Sequence, residues 1–147
     1  MAGTEKWVWL DCDGTWIDLY GVENWLEMLK NFDPTPYAIA KPLVNLNWFA
    51  RTIHDLQKVG YKVGIISWLS KNSNTKYDEE VTKTKLAYFK RHLPSVVFDS
   101  INIIPYGTPK SSCGNGILFD DELNNRNKWK GISYDEINLI KKLRSLL

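Results

Sequence analysis

The chain has little that would tie it to a membrane, a secretory route or a polyanion. Its two cysteines, Cys12 and Cys113, stand in no metal-ligand or redox spacing. Neither a disulfide framework nor a zinc site is therefore expected, and reduced thiols in a cytoplasm fit this usage. No apolar run approaches the roughly 20 residues of a membrane span, and the N-terminus carries no basic, apolar leader pattern. A soluble, cytoplasmic protein without a membrane partner is the expectation. Charge of one sign is also scarce: a net charge of +2 is too small to imply a nucleic-acid-binding face over the whole chain. Repeats and low-complexity segments are absent. The two histidines, His54 and His92, fall in helical candidates distant in sequence from the strand-end acids and are expected at the surface or in packing.

What is present is the balance of an ordinary globular domain. A length of 147 residues suits one domain over 1–147 with its own core, and two domains would leave neither half enough. Seven Trp and seven Tyr imply a dense core and one or two aromatic-lined surfaces. Short apolar runs at Lys6–Leu10, Lys62–Ile66, Ile101–Ile104 and Gly116–Phe119 are flanked by Gly, Pro and Asp, which favours strands. Helical periods separate them. Leu43–Val59 places Trp48, Phe49, Ile53 and Leu56 on one face; Thr75–His92 carries Tyr77, Val81, Tyr88 and Phe89; Ser133-Tyr134-Asp135-Glu136 reads as a capping box opening a last helix with Ile137, Ile140 and Leu143 inward. This alternation predicts an α/β fold, a Rossmann-like three-layer sandwich with a mostly parallel central sheet. Residues 16–41 interrupt the first strand-to-helix step. They hold a short amphipathic helix (Val22, Trp25, Leu26, Leu29), so they read either as a small helical lid or as an extra helix on the sheet edge.

Ligands of an open parallel sheet bind beyond the carboxyl ends of its strands. Asp11 and Asp13 follow the first run, Ser67 the second, Lys110 the third, and Asp120 and Asp121 the fourth. Taken singly, an Asp-x-Asp is a turn or cap, Ser67 a helix cap and Lys110 a solvated surface lysine. Together they suit a phosphate ester held by a divalent cation. Clustered carboxylates repel one another unless a cation sits among them, and an all-oxygen set without His or Cys suits Mg²⁺. Gly14 lets the chain turn tightly after the acids, while Ser67 and Lys110 are placed to hold non-bridging phosphate oxygens.

Asp11-Cys12-Asp13-Gly14-Thr15, Ser67 after Val63-Gly64-Ile65-Ile66, Lys110 in Gly107-Thr108-Pro109-Lys110, and Asp120-Asp121 after Ile117-Leu118-Phe119 together resemble the haloacid dehalogenase superfamily of aspartate-dependent phosphatases. The resemblance implies that Asp11 attacks phosphorus and forms an aspartyl-phosphate. Asp13 would act as general acid and then general base, and Lys110 would offset charge. The metal set it implies is Asp11, the backbone carbonyl of Asp13, and the pair Asp120 and Asp121, and the sequence leaves open which of the pair touches the ion. Trp16 departs from the pattern, which has a smaller aliphatic residue there. It either alters the pocket near the leaving group or fills a gap in the core.

The segment Lys71–His92 sets six basic residues against three acidic ones. With the loop Asn72-Ser73-Asn74-Thr75 it resembles the 3′-phosphatase domain of phage-type polynucleotide kinases, although a solvated helix face gives the same pattern. The expected function is thus a Mg²⁺-dependent phosphomonoesterase acting on a nucleotide or on a nucleic-acid terminal phosphate. Two alternatives stand beside it: hydrolysis of a sugar phosphate or other small metabolite, and a non-catalytic interaction or regulatory module that keeps the fold.

Overall fold

A computed structural model describes residues 5–147; residues 1–4, where a leader would begin, lie outside them. Five strands form one sheet in the order β5–β4–β1–β6–β7, with every neighbouring pair parallel. They are β1 (Lys6–Leu10), β4 (Tyr61–Trp68), β5 (Ser100–Ile104), β6 (Ile117–Phe119) and β7 (Ser133–Tyr134). The fold is therefore α/β with a parallel Rossmann-like sheet covered on both faces. β1 is central, and the chain builds outward from it on one side through β4 and β5 before returning to the other side for β6 and β7. Its carboxyl end is thus the point where the strand order reverses, which is where open sheets leave a crevice.

The helices bury the faces that their periodicity defines. α3 (Leu46–Lys58) turns the fully buried Phe49, Ile53 and Leu56 toward Val8, Leu10, Val63 and Ile65. It starts where the Asn45 side chain accepts a hydrogen bond from Trp48 N (3.0 Å), three residues later than the apolar pattern suggests. Trp48 does not face the core as expected; half exposed, it lies under the guanidinium groups of Arg144 and Arg51. α4 (Thr75–His92) has the limits read from the sequence and is capped by Asn74, whose side chain accepts from Tyr77 N. The other sheet face is covered more thinly. Trp7 and Trp9 stack there at 4.4 Å and pack with Leu118 and Trp129, near the short helix α5 (Leu123–Lys128).

The C-terminal expectation is corrected. Ser133 and Tyr134 do not open a helix but form the edge strand, with Tyr134 paired to Phe119. Asp135 then turns the chain by accepting from Ile137 N, and α6 (Leu139–Arg144) buries Leu139 and Leu143. Ile137 stays exposed and Ile140 is half-buried. Local capping chemistry at 133–136 loses to a neighbouring strand that offers unpaired backbone groups.

Residues 16–41 form a compact insertion after β1. Its base is a two-strand ribbon, β2 (Ile17–Asp18) antiparallel to β3 (Lys41–Pro42). Between them lie α1 (Trp25–Lys30) and α2 (Thr35–Ile39). α4 pins this unit: Tyr77 donates to Asp33 O (3.0 Å) and Tyr88 to Ala40 O (2.7 Å). Trp16, at the root of the insertion, is wholly buried among Phe49, Tyr88 and Phe89. It fills the core and does not reach the pocket. Both histidines lie away from the acids, His54 on Ser95 O and His92 against the Tyr88 ring. Among the described residues, no helix is long and apolar enough to cross a membrane.

One close approach is directly testable. A Cβ on Gly64 would stand 2.4 Å from the Trp9 ring, and Trp7 on one side and Gly114 on another leave that ring no room to move. Gly64→Ala is expected to lose about 1–3 kcal/mol of stability, read as a lower urea midpoint at unchanged m-value. An unchanged midpoint would mean that Trp9 is not clamped.

Candidate functional site

The turn leaving β1 is wound around one carbonyl. Cys12 O accepts from the backbone N–H of Thr15, Trp16 and Ile17, all at 3.1 Å, while Asp11 N is held by Phe119 O of β6. Cys12 and Trp16 point into the core, so Asp11 and Asp13 point out of the strand end. Gly14 has φ of +83°, and a Cβ there would meet the Asp121 carboxylate at 2.4 Å and the Tyr20 ring at 2.9 Å. Only glycine satisfies both demands.

Around this turn the acids from β1 and β6 meet. Asp11, Asp120 and Asp121 each offer a carboxylate oxygen within 4.8 Å of the others. Lys110 comes from a 3-10 turn in the connection that returns from β5 to β6. Its Nζ donates to Asp11 Oδ1 and to Asp120 Oδ2, both at 2.7 Å, with the side chain almost wholly buried. Asp120 is fully engaged: Oδ1 accepts from Glu122 N, and Oδ2 accepts from Asn125 Nδ2 as well as from Lys110. The Thr15 hydroxyl lies 2.8 Å from Asp11 Oδ2 and 3.1 Å from Asp121 Oδ1. It has one proton for two carboxylates, so a cation or a further proton fits between Asp11 and Asp121.

Asp13 is held apart from this cluster. Its Oδ2 accepts from Lys85 Nζ at 3.0 Å, and the same ammonium donates to Ser67 Oγ (2.6 Å) and to Trp68 O (3.0 Å). All three protons of Lys85 are thereby used. Ser67 is fully buried, Asn74 supplies the cap of α4, and Lys110 is no solvated lysine. The single-residue readings as cap and surface charge are set aside.

The electrostatics follow from this crowding. Burial, and then the charge of Asp11, push Asp120 up to about 6 and Asp121 up to about 8; Lys110 opposes the shift on Asp120. Burial also raises Asp13 above the usual carboxylate range, with Lys85 pulling the other way. For Lys110, burial works against the charge, but Asp11 and Asp120 more than offset it and the group ends above its ordinary value. Beside the acids lies a cavity of about 460 Å³, with Asp11, Asp13 and Lys110 in its wall. The insertion contributes Tyr20, Trp25, Leu29 and Tyr37 to the same wall.

All six residues singled out from the sequence, Asp11, Asp13, Ser67, Lys110, Asp120 and Asp121, come together at the carboxyl ends of β1, β4 and β6. Three neighbours were missed. Lys85 sits at a core-facing helical position, four residues after Val81 and three before Tyr88; a lysine in an apolar stripe was the available signal. Thr15 was counted only as part of a motif. Asn125 and its bond to Asp120 left no trace in spacing. No family model and no curated protein matches the chain.

Asp120 and Asp121 bind protons more tightly folded than unfolded, so protonation favours the fold. In metal-free solution, stability is expected to fall as pH rises from the ordinary carboxylate value of 3.8 towards about 8. Asp121→Asn removes the later-titrating group. Its melting temperature, measured in chelator at pH 5 and pH 8, should gain on the native protein as pH rises, and a constant difference would contradict the assignment.

Proposed function

We propose that the chain is a Mg²⁺-dependent phosphohydrolase of the haloacid dehalogenase type that works through an aspartyl-phosphate. One observation carries the reading: four aspartates converge on one strand-end crevice and, among the described residues, two ammonium groups, Lys85 and Lys110, are paired to them. With all four ionised, two negative charges would be left over, and a divalent ion makes good that deficit where otherwise protons would be taken up. Asp11 and Asp121 would hold the ion, with Asp120 anchoring Lys110 behind them and the backbone carbonyl of Asp13 completing the set that the resemblance implies. Once bound, the ion supplies neutralisation of the non-bridging phosphate oxygens.

The residues divide the remaining work. A carboxylate oxygen of Asp11 bonds to phosphorus as the bond from phosphorus to the leaving oxygen breaks. Lys110 on Oδ1 and Thr15 on Oδ2 fix the plane of that carboxylate, so little reorientation precedes attack. Asp13 delivers its proton to the leaving oxygen, and burial, which raises its affinity for a proton, suits that first role. In the second half Asp13 takes a proton from the water that attacks phosphorus, returning Asp11 as carboxylate and releasing inorganic phosphate. Lys85 keeps Asp13 directed away from the metal-binding oxygens and holds Ser67 Oγ as acceptor. Ser67, wholly buried and outside the cavity wall, would thus act by seating Lys85 beside Asp13. In this reading residues 16–41 act as a small lid over the crevice, and the free thiols of Cys12 and Cys113 fit a cytoplasmic location.

Phosphate release with Mg²⁺ is the test, screened over mononucleotides, sugar phosphates and 3′- or 5′-phosphorylated oligonucleotides. Asp11→Asn should lower release at least about a thousandfold, and Asp13→Asn about 10²–10⁴-fold. Release that survives Asp11→Asn would sink the mechanism. Independently of turnover, Mg²⁺ should raise the melting temperature of the native protein and have no such effect on Asp121→Asn. No release from any substrate, together with no Mg²⁺-dependent shift, would favour the non-catalytic module.

A further inference from the structure

The cavity beside the acids is lined in a way that phosphate chemistry alone does not require. Two aromatic pairs from different parts of the chain border it. Trp68, at the end of β4, tilts against Tyr106 with ring centroids 4.9 Å apart. The Trp68 indole N–H is spent on Thr108 O at 2.8 Å, which fixes the ring in the cavity wall. Lys110 Nζ lies 5.4 Å from the centroid of that ring, which places Trp68 beside the acid site. On the insertion, Tyr20 meets Trp25 edge-on at 4.9 Å, and Tyr20 itself lies against Gly14 of the acid turn. Tyr20 is 46% exposed and Tyr106 52% exposed, so both rings have surface left for a ligand in the cavity.

The chemistry of the wall selects among phosphate esters. A sugar phosphate needs several hydrogen-bonding partners for its hydroxyls, yet of the polar groups in this wall Ser70 is bonded to Tyr37, and Asn125 to Asp120 and Glu122, while five aromatic rings and four leucines (Leu19, Leu26, Leu29 and Leu69) offer flat apolar surface. Flat rings stack on such surfaces whatever their polar edges carry. Lys30, Lys71 and Asn72 lie in the wall and are exposed. Neither lysine forms an ion pair among the described residues. They offer polar contacts at the edge of a ring or to a second phosphate. A volume of about 460 Å³ falls in the range of sites that enclose one small organic group.

We propose that this cavity is a nucleobase subsite, so that the phosphate cleaved at Asp11 is carried by a nucleotide whose base is unpaired and stacks between the Tyr20–Trp25 and Trp68–Tyr106 pairs. The inference rests on the phosphohydrolase reading for its reaction but not for its binding. A base that must lie flat against protein rings on entering is not paired to a second strand. The substrate is thus a free nucleotide or the terminal nucleotide of a single strand, and a blunt duplex end is excluded.

Binding separates this inference from the hydrolytic one. In the Asp11→Asn protein with Mg²⁺, adenosine 5′-monophosphate is compared with ribose 5-phosphate and inorganic phosphate by calorimetry and by tryptophan fluorescence. The nucleotide should bind roughly tenfold or more tighter than ribose 5-phosphate, as stacking of one base provides. That ratio should collapse in Trp25→Leu and in Tyr106→Leu and persist in Trp48→Leu, whose ring lies elsewhere on the surface. Equal binding of nucleotide and ribose 5-phosphate, or a ratio untouched by both cavity variants, overturns the subsite. A phosphorylated trinucleotide and a blunt-ended hairpin duplex with the same terminal residues and phosphate form the second arm. Tighter binding of the trinucleotide than of the monophosphate assigns a strand end, the reverse order assigns a free nucleotide, and preference for the duplex overturns the proposal. The native protein is assayed in parallel with acetyl phosphate. Asp11-dependent release without nucleotide preference leaves the phosphohydrolase standing and removes the subsite, whereas Trp25-dependent nucleotide binding without any Asp11-dependent release does the opposite.

Discussion

Carboxylates brought out of water at adjoining strand ends lose hydration and repel one another, and the strands cannot meet there without a cation. Lys110 supplies it. Its ammonium group bonds Asp11 of β1's exit to Asp120 of β6's exit at 2.7 Å each, across the pair of strands whose backbone is already joined by Asp11 N and Phe119 O. Removing one member of so buried an arrangement leaves the others uncompensated, a cost of about 3–5 kcal/mol in comparable sites. The return from β5 to β6 has no α-helix of its own, and the end of Lys110 is one of the few points that hold it against the sheet. The same contact thus closes the fold and sets the plane of the reactive carboxylate.

The insertion depends on that arrangement from the other direction. Trp16 and the β2–β3 ribbon root residues 16–41 in the core, while α4 holds Asp33 and Ala40 through the hydroxyls of Tyr77 and Tyr88. Two turns of α4 separate Tyr77 from Lys85, so the helix that fastens the insertion also delivers the ammonium group to Asp13 and Ser67. A rigid helix with one face on the insertion and one residue in the site ties the shape of the cavity to the placement of the acid–base group. Tyr20, resting on Gly14, is a second link between the two.

Much of this was readable from residues alone. β1 and α4 have the limits that their apolar periods gave, because long or sharply bounded patterns leave few alternatives. The six polar stations were legible because chemistry at strand ends does not depend on knowing the packing. What was hidden was relational. Trp48 continues the apolar face of α3 on a helical wheel, but Arg144 and Arg51 offer its ring a partner outside the core. Ser133-Tyr134-Asp135-Glu136 satisfies a capping pattern, yet the free edge of β6 is a stronger claim on the same backbone. Lys85 was counted among surface charges, although its place between Val81 and Tyr88 marks it as inward. An inward lysine at such a position requires acceptors, and the acids after β1 were the nearest ones that could meet it.

Asp120 and Asp121 are neighbours in sequence but unlike in circumstance, and the difference orders the site. Asp120 is wholly buried, with both oxygens bonded to Lys110, Asn125 and Glu122 N. It has no oxygen free to turn elsewhere without breaking a contact that holds the sheet closed. Asp121 is only half-buried, faces Asp11 across a single hydroxyl proton, and is the more strongly driven to take up a proton. The group with the least stabilised charge gains most from a cation, so in the proposed reaction Asp121 is the direct partner of the ion and Asp120 the structural one. The two adjacent acids then perform opposite tasks: one is spent on making the site rigid, and the other is kept unsatisfied so that the site can bind.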